Sequence, residues 1–183
     1  TGGYDGMYSA VTMLPTEKIG VVILTNTMDG IGTLLNYEII DRLLGLPQQD
    51  WKNRGINQDK GHWADRAARI KERTDARIMG TKPSMDVVAI SGLYRCPLFG
   101  DIRILEENGK LTIDFVHSPQ LKARLSHWHN DTYQLEWLEE QAWFEFGTVQ
   151  IQMNNSGKPS GLLFDVPNDD IFFVEIKAVR VTP

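Results

Sequence analysis

From Val87 onward the chain is written in short runs of alternating apolar and polar residues separated by turn residues, and this rhythm constrains the fold more than any other feature. The clearest run is "NGKLTIDFV". Asn108-Gly109 has the chemistry of a two-residue hairpin turn, and Leu111, Ile113 and Phe115 then share one strand face. The pattern repeats at Leu121-Ala123-Leu125, Tyr133-Leu135-Trp137, Val149-Ile151-Met153, Leu162-Phe164-Val166 and Phe172-Val174-Ile176-Ala178, with "SGLYRC" and "DIRILE" ahead of them. Turn clusters stand at His129-Asn130-Asp131 and at Asn154-Asn155-Ser156-Gly157. Strands this short with no helix between them pair antiparallel, and closure into a barrel removes exposed edges. An antiparallel β-barrel of about eight strands is therefore expected over residues 85–183.

The first third reads differently. "MYSAVTML" (7–14) and "IGVVILTN" (19–26) are β-rich and flank a turn-like "PTEK". The second run is apolar at almost every position, which predicts a central strand covered on both faces. A helix is expected from about Gly32 to Leu44, with Leu35, Ile39 and Leu43 as its buried stripe and Gly45 and Pro47 as its stop. A hairpin and one helix make too small a core alone, so residues 1–47 read as part of something larger. A second helix is expected from about Trp63 to Met79, inside a linker covering 48–84 that "GTKPS" closes. The fold class is thus α+β: a hairpin with a helix, a linker helix, then the barrel.

Charge follows the same division. Residues 1–50 carry two basic and six acidic side chains, 51–82 nine and four, and 83–183 eight and fourteen. The net charge of −5 offers no global field for nucleic acid or an anionic membrane, and the mixed middle has only Trp51 and Trp63 for stacking. The apolar stretches 19–24 and 171–176 are too short to span a bilayer. Cys96 is the single cysteine, so no intrachain disulfide forms, and a buried structural thiol is expected.

Candidate chemistry is scattered. Thr1-Gly2-Gly3 reads either as an ordinary glycine turn or as a loop where backbone approaches substrate. His127 and His129 stand at i,i+2 on one strand face, with His117 as a third imidazole, which reads as a weak metal pair or as polar surface. Glu136, Glu139 and Glu140, and the pair Asp169-Asp170, fit acid–base work, calcium or solvated charge. Trp128, Trp137, Trp143, Phe144, Phe146, Phe164, Phe172 and Phe173 either line a ligand cavity or fill the barrel, the filled interior being the expected case. No cofactor is expected. The chain contains no Ser-x-x-Lys, Gly-x-Ser-x-Gly, His-Glu-x-x-His or phosphate-binding glycine loop, and hence no complete catalytic constellation.

"TGGYDGMYSAVTMLPTEKIGVVILTN" and the helix after it resemble the end of the catalytic domain in class C β-lactamase-related serine hydrolases, a group that includes penicillin-binding-protein-like esterases and D-aminopeptidases. Thr1 and Gly2 fit the second and third positions of that family's Lys-Thr-Gly motif, with Gly3 beside them. "VVAISGLYRCPLFGDIRILEENGKLTIDF" resembles the start of the lipocalin-like barrel that many of these hydrolases carry. The resemblance implies a C-terminal part of such a hydrolase, acting on amides or esters such as peptidoglycan-like peptides or D-amino-acid derivatives. It also implies a periplasmic or secreted home and a missing N-terminal catalytic portion as the chief partner. The family's nucleophilic Ser and its Lys map onto no residue here, so the chain alone is expected to be inactive. Two other readings stand beside it: a free-standing ligand-binding barrel, and a homo-oligomerising module pairing through exposed strand edges.

Overall fold

The computed structural model describes residues 1–4, 6–27, 30–141, 143–169 and 171–181. The chain divides into two compact units, Thr1–Ala68 and Arg69–Pro183. It is an α+β protein: a three-stranded sheet with helices, then a closed barrel of eight antiparallel strands.

In the first unit, β1 (Gly2–Tyr4), β2 (Met7–Leu14) and β3 (Ile19–Thr25) form an antiparallel sheet in the order β1-β2-β3. The β2–β3 turn closes with the Lys18 N–H donating to Pro15 O at 3.2 Å. Helix α1 (Ile31–Leu43) covers one face through its smallest residue. A Cβ on Gly32 would already touch Ile23, Thr25 and Tyr8, so the helix sits close and buries Gly32 and Asn36. Gly45, at φ +66°, ends α1, and Leu46 N–H reaches back to Asp41 O at 2.8 Å.

Two expectations for this unit fail, for one reason. Among the described residues β3 lies at the edge of the sheet and not at its centre, and only its Val21 face is covered. The α1 stripe Leu35-Ile39-Leu43 is exposed, because Gly32 and Asn36 point at the sheet in its place. Apolar character and burial part company wherever close backbone approach selects small residues.

Helix α2 (Trp51–Asp75) starts a dozen residues earlier than the expected 63–79 and ends earlier too. Asp50 caps it: its carboxylate accepts the Asn53 N–H at 3.1 Å and the Asn53 side-chain amide at 2.6 Å, and those bonds hold the Asp50 carboxyl below its usual value. Tertiary contacts then compensate for poor helix formers. Trp51 Nε1 donates to Asp41 at 2.7 Å, and Gly55 makes room for Leu34. No described helix is long and apolar enough to cross a membrane.

The second unit begins with the last residues of α2 and the short α3 (Val87–Ile90), which the strand-like sequence did not foretell. Eight strands follow: β4 (Gly92–Cys96), β5 (Gly100–Glu107), β6 (Lys110–Phe115), β7 (Lys122–His129), β8 (Thr132–Trp137), β9 (Thr148–Met153), β10 (Pro159–Asp165) and β11 (Ala178–Arg180). Each pairs with the next, and β11 closes the ring against β4. Asn108 and Gly109, with φ +54° and +77°, make the tight β5–β6 turn that their sequence demands. Tyr94, Ile102, Ile104, Ile113, Leu135, Ile151 and Leu162 are buried in the interior.

The final run departs from its expected alternation. Residues 173–175 form a 3₁₀ turn, so Phe173, Ile176 and Ala178 go inside while Phe172 and Val174 face water. A turn moves side chains off the two-residue period of a strand.

Arg180 locks the seam at β11. Its guanidinium donates to Ala89 O (2.9 Å), Ser91 O (2.7 Å) and the Tyr94 hydroxyl (3.0 Å), and lies 5.5 Å from the Tyr94 ring centre. Gly92, at φ +146°, passes beneath it, and a Cβ there would stand 3.0 Å from Arg180 Nη2. Arg180→Ala is expected to cost about 2–3 kcal/mol, since three charge-assisted bonds go at once. A urea midpoint unchanged from the parent would show the seam holds without it.

Arg95 and Asp101 face each other across β4–β5 and pair at 2.6 and 3.0 Å, which holds the Asp101 carboxyl below the usual carboxylate value. A depressed folded value makes this pair stabilising above the unfolded Asp value, and its contribution is lost as pH falls through the folded one. In an NMR titration, Asp101 should titrate below ordinary aspartates and return to them in Arg95→Gln.

Candidate functional site

The first candidate is the N-terminal edge. Gly2 and Gly3 lie within β1, opposite Ser9 and Tyr8, so they are strand residues and not a turn. Ser9 Oγ donates to Gly2 O at 3.2 Å and pins the strand. All three residues of β1 are exposed, and β1 pairs on one side only among the described residues. Such an edge presents backbone N–H and C=O groups to any extended segment laid beside it. Thr1 is exposed at the start of that edge.

The sheet behind this edge has two unlike faces. Tyr8, Ala10, Val21 and Ile23 face α1. Cross-strand pairing puts Met7, Val11, Met13, Val22 and Leu24 on the opposite face, all exposed, Met13 by 73% and Leu24 by 77%. Contiguous exposed apolar residues of this kind are the character that interaction surfaces have.

The histidines do structural work. His127 Nε2 lies 2.8 Å from Asn130 O, and its ring meets Tyr133 edge-on at 5.9 Å. His129 Nδ1 accepts the Ile78 N–H at 3.2 Å, and a bulge between the two histidines breaks the regular alternation assumed for a metal pair. Among the described residues no three His, Cys, Asp or Glu side chains gather as a metal-holding group. His117 packs by Gly100, where a Cβ would collide with its ring.

These histidines belong to a strap that sequence reading missed. The segment after α2 is tied to the β7–β8 hairpin at successive points. Arg77 Nε donates to Trp128 O (2.8 Å) with its guanidinium 4.3 Å from the indole centre. Thr81 Oγ1 accepts the Asn130 N–H (2.8 Å), and Asp131 accepts both the Ser84 N–H (2.7 Å) and the Ser84 hydroxyl (2.8 Å). Higher up, Arg73 forks onto Asp165 and Arg69 onto Asp169. Each pair joins residues ninety or more positions apart, so no local pattern announces it. A groove of ≈ 250 Å³ remains between Arg73, Trp128, Thr132, Thr148 and Gln150.

The other candidates separate. Asp169 is the partner of Arg69, and Asp170 lies outside the described residues. Glu136, Glu139 and Glu140 are exposed. Cys96 is buried in the core. Trp137, Phe144 and Phe173 pack with centroids 4.8–6.1 Å apart, and Phe115 and Phe164 join Phe173, so rings occupy the interior a ligand would need. Trp128 and Phe146 meet each other at 5.5 Å, and Trp143 packs on the core. Burial, and secondarily Asp131, pushes the Tyr133 hydroxyl above its ordinary value. Burial does the same to Tyr94 against the opposing pull of Arg180.

Comparison with known proteins adds two findings. The model of a family described as a domain of unknown function, DUF3471, matches residues 76–179. The unguisins hydrolase ungD of Aspergillus violaceofuscus (strain CBS 115571) is 42% identical over 52 residues, which is 27% of this chain and 9% of that protein. The chain thus covers less than a tenth of the curated relative it matches.

Asp131→Ala removes the acceptor for both Ser84 bonds and is expected to cost about 1–2 kcal/mol. Amide exchange at Ser84 should accelerate while exchange in β4–β6 keeps its protection. Unchanged exchange at Ser84 would mean the strap does not depend on Asp131.

Proposed function

The chain belongs to the DUF3471 family, and we propose that it serves as the C-terminal part of a β-lactamase-related serine hydrolase acting on amide or ester bonds. One observation carries the reading: the β1–β3 sheet is apolar on a face that nothing in the described chain covers, as is the Leu35-Ile39-Leu43 stripe of α1. Uncovered on both outer surfaces, this layer has the character of one slice of a larger α/β core. The partner that fits it is the catalytic portion carrying the nucleophile.

In that assembly β1 takes the place of the strand edging the active site. Thr1, Gly2 and Gly3 would bind and align the substrate, the glycines leaving room beside the backbone. Acyl transfer also needs an activated nucleophile and an oxyanion hole, and this chain has no Ser-x-x-Lys to supply the first. The partial likeness to a protein named a hydrolase supports a hydrolytic parent. The barrel is its accessory domain, with the role of shaping access to the site or joining subunits. Peptidoglycan-like peptides and D-amino-acid derivatives are the substrates this reading favours.

The 183-residue chain is expected to leave a chromogenic β-lactam and a p-nitrophenyl ester untouched. The same chain extended by the coding sequence upstream of Thr1 should hydrolyse at least one of them, and a serine-directed phosphonate should abolish that turnover. Turnover by the short chain, or none by the extended one on esters, β-lactams or D-amino-acid amides, would sink the proposal.

A further inference from the structure

We propose that the loop-bearing end of the barrel is a docking surface for a basic, apolar peptide segment. Antiparallel topology sorts the connections between strands to two ends. At one end lie the tight turns at 108–109, 130–131 and 154–158, made of Asn, Asp, Ser, Gly and Lys. At the other lie the longer connections 97–99, 116–121, 138–147 and 166–177. These carry Leu98, Phe99, Leu138, Phe172 and Val174, every one of them exposed, Leu98 by 69% and Val174 by 63%.

Single exposed apolar residues are ordinary on a protein surface, but loops favour polar and turn-forming residues, and this end gathers large apolar ones from three separate loops. The backbone keeps them outside. Phe173 and Ile176 take the interior positions of the 3₁₀ turn, which leaves Phe172 and Val174 facing water. Ring packing of Trp137, Phe144 and Phe173 fills the space beneath, so the outer residues have no route inward.

Charge selects the occupant. Among the described residues of these four loops, Glu139, Glu140, Glu145 and Glu175 are the carboxylates besides Asp169, which Arg69 binds, and Lys177 is the one lysine. In Leu138-Glu139-Glu140 and Val174-Glu175 exposed acidic residues follow exposed apolar ones in the chain. An anionic rim repels nucleic acid and anionic bilayers. A second copy docking by the same end would set like charges against each other. A zwitterionic membrane would take the apolar residues and gain nothing from the carboxylates. A peptide that alternates Lys or Arg with large apolar residues satisfies both features at once. The inference stands on the barrel and does not depend on the hydrolase reading.

The probe is an amidated, fluorescein-labelled peptide of alternating Lys and Leu, titrated into the full 183-residue chain and followed by anisotropy. Saturable binding is expected, weakening at least threefold between 0.05 and 0.3 M salt as screening grows. It should weaken at least tenfold in Leu98→Asp/Phe172→Asp and, separately, in Glu139→Lys/Glu140→Lys. Met13→Asp/Leu24→Asp, on the other unit's apolar face, should leave the affinity unchanged. All substituted positions are exposed, and a thermal midpoint on each variant verifies the fold; if one rim variant unfolds, the other decides. Equal binding of a Glu–Leu peptide, affinity lost only in the Met13/Leu24 variant, retention on phosphatidylcholine vesicles without peptide binding, or a dimer that Phe172→Asp dissolves would each overturn the proposal.

Discussion

Closure of the barrel rests on its shortest strand. β11 has three residues and pairs at two positions with β10 and two with β4, yet without it the sheet would keep two open edges. Arg180 makes up for that brevity. It binds two carbonyls and a hydroxyl on the stretch from Ala89 to Tyr94, so strand β4 is held by a side chain as well as by its ladder. Gly92 is the matching concession: at its backbone angle and beneath that guanidinium, a side chain would meet both strain and collision. The ring of strands then encloses an aromatic interior.

The two units obey opposite logics. The barrel satisfies itself, with its interior filled by its own rings and its outer wall gripped by arginines from α2 and the strap. The sheet unit does not. It buries Gly32, Asn36, Ala10 and Val21, yet leaves Val11, Met13, Val22 and Leu24 in water. That imbalance is the physical content of the functional reading, because a layer with two uncovered surfaces calls for neighbours to complete its core, whereas the barrel's core is complete.

Much of this was legible in the chain. Asn108-Gly109 and the alternation after it announce β5 to β10 nearly residue by residue, since a pleated strand with one wet face writes its burial pattern at period two. Cys96 as a core thiol was equally plain. The misses share a cause. β3 looked central because it is apolar throughout, and the α1 stripe looked buried for the same reason; apolar composition reports what a segment prefers to touch, not what is present to touch it. The histidine pair read as a weak metal pair or as polar surface because spacing is visible in sequence, whereas the bulge and the bond from Ile78 that occupy it are not.

By itself, then, the sequence determined most strands of the barrel and their antiparallel pairing through short turns, because turn chemistry and two-residue alternation act over a few neighbouring residues. Tertiary structure alone decided which apolar faces were covered, how Arg180 sealed the ring and which loops carried exposed apolar residues to one end. Those outcomes depend on contacts between residues tens of positions apart, and such contacts leave no periodic trace in the chain.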